Sequence, residues 1–169
     1  KYFPESPEAY CNLGIMLGDI GMTKDAETKL KKAIEIKSDY VEAYSNLSSI
    51  LKKQGKLNES KKYALKAISL DKNYAMAHNN LAIIQKEQGK LKEAEASIKE
   101  CIRLNPKLAV AYNNQGEILK GLGKLKEAEK STTKAIEIKP NFAKAKLTLG
   151  IILRDLRRFK EAETSILKA

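Results

Sequence analysis

"AVAYNNQGEILKGLGKLKEAEKSTTKAIEI", Ala109–Ile138, reads as two helices joined by a turn. Gly123 closes the first half, and only glycine takes the left-handed conformation at a helix end without steric cost. In the second half, Ala128 and Ala135 place small residues where the helix must approach a neighbour closely, and Ile136 beside them fills the core. Pro140 then stops that helix. The stretch is an αα-hairpin, and one hairpin alone cannot bury its apolar faces.

The neighbours it needs are in the same chain. Shifted by 34 residues, the sequence falls onto itself, giving boundaries at 7–40, 41–74, 75–108, 109–142 and a shortened 143–169. Apolar residues in each first half recur at helical intervals, as in Tyr44, Leu47 and Leu51. Gly21, Gly55 and Gly89 occupy the place of Gly123, and Pro106 that of Pro140. The expected fold class is an all-α solenoid of antiparallel helical hairpins, in one continuous array. "YFPES", Tyr2–Ser6, with Pro4 at the closing place, reads as the tail of a preceding unit, and no polar cap stands at either end. The chain is therefore read as a window from a longer array.

The pattern resembles the tetratricopeptide repeat family, in which an aromatic, Leu-Gly, Ala, a large apolar residue and Pro stand at fixed offsets. The first copy carries Tyr10, Leu13, Gly14, Leu17, Ala26, Leu30 and Ser38; the third carries His78, Leu81, Ala82, Gln85, Ala94, Ile98 and Pro106. Local departures are Lys146 for the leading aromatic, Arg157 for the turn glycine, and Ser38 and Lys72 for closing prolines. The resemblance implies a right-handed superhelix whose first helices line a concave groove for protein or peptide partners.

Little in the chain points to catalysis. The single histidine, His78, stands where other copies hold Tyr10, Tyr44 and Tyr112, so it is read as a packing residue. "GEILKGLGK", Gly116–Lys124, lacks the spacing and the Lys-Ser/Thr pair of a phosphate-binding loop. Cys11 and Cys101 lie nearly three units apart, beyond disulfide reach, and no metal-ligand cluster or cofactor motif appears. The expectation is a non-enzyme without cofactor or metal. No apolar run reaches membrane-spanning length and no signal-peptide pattern opens the chain, so a cytoplasmic location is expected. The formal charge of +11 invites acidic partners.

One arc of each first helix, spanning roughly 120°, holds the fifth, sixth, ninth, twelfth and thirteenth positions. Asn12, Asn46, Asn80 and Asn114 recur on it at the sixth position, with Thr148 in the last copy. Asparagine is a poor helix-interior residue, since its side chain competes for backbone groups. Its carboxamide both donates and accepts, so a row of them can grip the backbone of an extended peptide. The same amides can equally bridge neighbouring helices, and duplication copies any residue. Asn79 and Asn113, one position earlier in two copies, join the candidate peptide-binding set. A second row, Lys52, Lys86, Lys120 and Arg154 at the twelfth position, suits acidic side chains flanking a bound backbone. The Lys and Asn clamp that related domains use for chaperone C-termini is absent at the fifth and ninth positions.

"AYCNLG", "AYSNL" and "AHNNLA" are similar to the repeats preceding the catalytic domain of O-linked N-acetylglucosamine transferases. That resemblance implies that the asparagine row holds substrate backbone. The favoured reading is a non-catalytic peptide-binding scaffold. The alternative is the substrate-recruiting segment of a larger glycosyltransferase or other transferase. RNA binding is disfavoured, because the arc carries few aromatics to stack on. End-to-end self-association is a further reading.

Overall fold

A computed structural model describes residues 6–168; the expected tail at Tyr2–Ser6 lies outside them except for Ser6, and Ala169 lies outside as well. Among the described residues there are ten helices. They are α1 (Pro7–Asp19), α2 (Thr23–Ile36), α3 (Val41–Lys53), α4 (Leu57–Leu70) and α5 (Ala75–Glu87), then α6 (Leu91–Leu104), α7 (Ala109–Gly121), α8 (Leu125–Ile138), α9 (Ala143–Asp155) and α10 (Phe159–Leu167). Odd-numbered helices are the first arms of the repeats and even-numbered ones the second; α1 pairs with α2 and α3 with α4 in one unit, α7 with α8 and α9 with α10 in the other.

Local chemistry sets the ends. Ser6 caps α1 by accepting the Ala9 N–H at 3.2 Å, with Pro7 at the first helical position, where a missing N–H costs nothing. Between the arms, Gly21, Gly55, Gly89 and Gly123 all take positive φ, between 75° and 85°. The next residue's N–H then folds back onto the first arm, as in Lys56 N–H to the Leu51 carbonyl at 2.9 Å and Lys124 N–H to that of Leu119 at 2.9 Å. This is the Schellman closure, which satisfies orphan helix-end carbonyls. Arg157 makes the same turn at φ 62° without being glycine.

The chain divides into two compact units, one ending at Ile84 and one beginning at Gln85. In the first, Cys11, Ala26, Leu30, Ala33, Ala43, Leu47, Ile50 and Leu51 form the core, flanked by Tyr10, Ile34 and Tyr63. Close approach of the arms needs Gly14, where a Cβ would stand 2.7 Å from Leu30 Cγ. In the second, Leu119, Ala128 and Ile152 pack together with Leu156. His78 behaves as a tyrosine substitute: its Nε2 lies 2.9 Å from the Lys72 carbonyl, and Tyr44 OH donates to the equivalent Ser38 carbonyl at 3.2 Å.

Successive repeats are also tied by ion pairs 29 residues apart. Lys56 meets Glu27 at 3.1 Å in the first unit; Lys124 meets Glu95 at 2.9 Å and Arg158 meets Glu129 at 2.6 Å in the second. The tenth position of the first arm reports how each repeat is covered. Ile50, Ile84, Ile118 and Ile152 are buried there, whereas Met16 is 65% exposed and Ile20 of the same hairpin 71%.

Candidate functional site

The asparagines of the sixth position do not form a uniform rank of open amides. Asn12 is exposed and Asn46 half-buried, whereas Asn80 and Asn114 are 7% and 3% exposed. In the first unit the cause is visible. The sixth position of one repeat lies against the fifth of the repeat before it. Asn80 Nδ2 donates to the Ser45 carbonyl at 2.9 Å and to Ser45 Oγ at 3.1 Å. Asn46 Nδ2 donates to Cys11 Sγ at 3.7 Å. A backbone carbonyl only accepts, so the amino half of Asn80 must face Ser45 and its Oδ1 must face away. Neither Asn46 nor Asn80 has a further hydrogen bond among the described residues, so each keeps an acceptor to offer.

The remaining members differ. Thr148 Oγ1 turns back to the Lys144 carbonyl at 2.9 Å, so it is satisfied within its own helix. Asn79 and Asn113 are enclosed, at 3% and 0% exposure. Asn113 Nδ2 donates to Glu117 Oε1 at 3.1 Å.

The cationic row is likewise uneven. Lys86 pairs with Glu117, which also holds Lys144 at 2.9 Å. Burial pushes the Glu117 carboxyl up, but the two lysines outweigh it and hold the group below the usual carboxylate range. Arg154 is exposed and pairs with Asp155 at 3.0 Å. Lys120 has no ion pair or hydrogen bond from its side chain among the described residues. Glu117 and Lys144 were not among the sequence candidates. The signal that locates Glu117 is a carboxylate at the ninth position, where the other copies carry Ile15, Ser49, Ile83 and Ile151.

Each unit has a depression lined mainly by first-arm residues. In the first unit a small one of about 60 Å³ is lined by Ile15, Gly18, Asn46, Ser49 and Lys53. In the second a cavity of about 470 Å³ is lined by Lys86, Leu91, Glu117, Lys120, Lys144 and Ile151, among others. Cys11 and Cys101 are free thiols, both buried, and burial raises Cys11 above its ordinary value. No group of three or more metal-ligating side chains occurs among the described residues.

Three tetratricopeptide repeat models match the chain, over residues 7–40 and 41–74, over 63–96 and over 109–142. The chain belongs to the tetratricopeptide repeat family. As a tetratricopeptide repeat protein it has the all-α, hairpin-built solenoid fold of its structural neighbours. A thermophilic tetratricopeptide protein of Thermus thermophilus superposes with a TM-score of 0.88 at 20% identity, over 97% of this chain and 90% of that one. Pseudomonas aeruginosa pilF gives 0.84 at 23% identity, over 95% and 73%. YrrB, described as a tetratricopeptide protein with an unusual peptide-binding site, gives 0.66 at 21% identity, over 94% and 82%. No curated protein matches the sequence. Among the described residues, no helix is long and apolar enough to cross a membrane.

Proposed function

We propose that this protein is a non-catalytic scaffold that binds an extended peptide on the surface of its first arms. One observation carries the reading: Asn46 and Asn80 both turn their amino groups into the protein and keep their carbonyl oxygens without a partner among the described residues. Two acceptors one repeat apart suit the N–H groups of a peptide main chain, whose identity does not depend on its side chains. Depressions on the first arms, lined by Asn46 in one unit and by Lys86 and Lys120 in the other, supply places for side chains. The likeness to YrrB and the sequence resemblance to transferase repeats point the same way.

The test is selection from a random peptide library displayed on phage, with the intact protein and with Asn46→Thr/Asn80→Thr. Threonine is the protein's own occupant of this position at Thr148, so the fold tolerates it. Peptides should be enriched by the parent and lose about tenfold or more in affinity for the variant, equivalent to about 1.4 kcal/mol. Undiminished binding by the variant contradicts the asparagine reading.

A second reading has its own support. The stripe of Leu13, Met16 and Ile20 at the first arm is exposed, whereas Leu47 and Ile50, the equivalents of the first two, are buried, Ile50 lying over Gly18 of the preceding repeat. An apolar stripe of this kind suits a further hairpin stacking on α1, as the chain's own repeats do, and in the self-association reading a second copy supplies that hairpin.

A further inference from the structure

The lysines of the twelfth position look equivalent in sequence, and the structure divides their labour. Lys86 is held by Glu117, and so is Lys144 from the next repeat. That leaves Lys120, on the same cavity wall one turn from Glu117, with no carboxylate partner among the described residues. Three ammonium groups and one carboxylate line the cavity, an excess of positive charge that the protein does not neutralise. Apolar side chains make up most of the rest of the wall, Leu91 from α6 and Leu147 and Ile151 from α9, with Gly121 and Thr148 beside them. Leu91 packs closely on Gly121, where a Cβ would stand 3.2 Å from its Cδ1.

We infer that this cavity is an anchor subsite for an acidic residue next to a large apolar one in the bound peptide. The peptide carboxylate pairs with Lys120, and its Leu, Ile or Phe neighbour packs on Ile151 and Leu91. Glu117 is a positioning residue: by engaging Lys86 and Lys144 it restrains both, and Lys120 is left as the ammonium group of this cavity without a carboxylate partner among the described residues. A cation at the edge of an apolar cavity is partly desolvated by a bound side chain, which strengthens its pairing with a carboxylate. The inference rests on the peptide-binding reading and adds the ligand's chemistry to it.

Peptides selected from the random library by the full chain test it, with Lys120→Glu and Lys130→Glu as variants. Lys130 is exposed on α8, away from this cavity, so its substitution makes the same change in net charge elsewhere. Enriched peptides should carry Asp or Glu beside Leu, Ile or Phe. Lys120→Glu should weaken them by about tenfold, and Lys130→Glu by less than about twofold. Enrichment without acidic preference, or equal losses for the two variants, overturns the inference. Peptides without that preference that still need Asn46 and Asn80 leave the scaffold reading standing. Absence of any enriched peptide removes both. Tight retention of single-stranded RNA that depends on Lys120 would replace them with a nucleic-acid site.

Discussion

Asn80 Nδ2 reaches back one repeat to the Ser45 carbonyl at 2.9 Å, so a residue that is unfavourable within its own helix ties that helix to the preceding one. Its equivalent on α1, Asn12, is exposed and has no hydrogen bond from its side chain among the described residues. The same substitution should therefore act with opposite sign at the two places. Asn80→Ala should destabilise by about 1 kcal/mol through the lost buried hydrogen bonds, less a few tenths regained in helix propensity. Asn12→Ala should be neutral or stabilise by a few tenths of a kcal/mol. Urea denaturation of the two variants reads the difference; equal effects would remove the bridging role.

Arg157 makes the hairpin turn at φ 62°, where the other four repeats use glycine. Left-handed backbone costs an L-residue roughly 1–2 kcal/mol, against roughly 0.5–1 kcal/mol for the greater chain entropy of glycine. Arg157→Gly should raise the melting temperature slightly, and Gly123→Ala should lower it. A rise for the alanine variant would contradict this account of the turn.

Acid should loosen the links between repeats. Lys31 and Lys56 hold Glu27 down at about 2, and Lys99 and Lys124 lower Glu95. A carboxylate with a folded-state value below its unfolded one stabilises the fold above the unfolded value of about 4.3. That contribution is lost as pH falls through the folded value. Stability followed by thermal melts should decline between about pH 4.5 and 2. Glu27→Gln should flatten the decline; an unchanged profile would show that the pair carries none of it.

Glu117→Gln should release Lys86 and Lys144 into the cavity while leaving an oxygen for Asn113 Nδ2. Acidic peptides should then bind more tightly, with a steeper dependence on salt. Fluorescence anisotropy at two ionic strengths checks both effects. Weaker binding would mean that Glu117 itself contacts the ligand.

If the α1 stripe stacks on a second copy, Met16→Glu/Ile20→Lys should abolish concentration-dependent mass in sedimentation. A parent that remains monomeric at all concentrations would remove the stacking reading.

The repeat and its hairpins were legible because each rests on a short-range rule. Positive φ demanded Gly21, Gly55, Gly89 and Gly123, and close arm packing demanded Ala26, Ala33, Ala128 and Ala135. The candidate surface was legible only as an arc. Which half of Asn80 faces out depends on Ser45, 35 residues earlier, and a helical wheel carries no such information. The wheel also left open whether the sixth-position amides grip a peptide or bridge neighbouring helices, because it cannot show the neighbouring repeat that covers them. Lys86 and Lys120 separate only once Glu117, 31 residues beyond Lys86, is seen to pair across the repeat.

Whether the first arms form the working surface is tested most directly by backbone amide NMR of the full chain, titrated with a library-selected peptide. Shifts should concentrate at the sixth, ninth and twelfth positions of α3, α5, α7 and α9, Asn46, Asn80 and Lys120 among them. Shifts confined to the second arms, on α4, α6 and α8, would contradict the proposed surface.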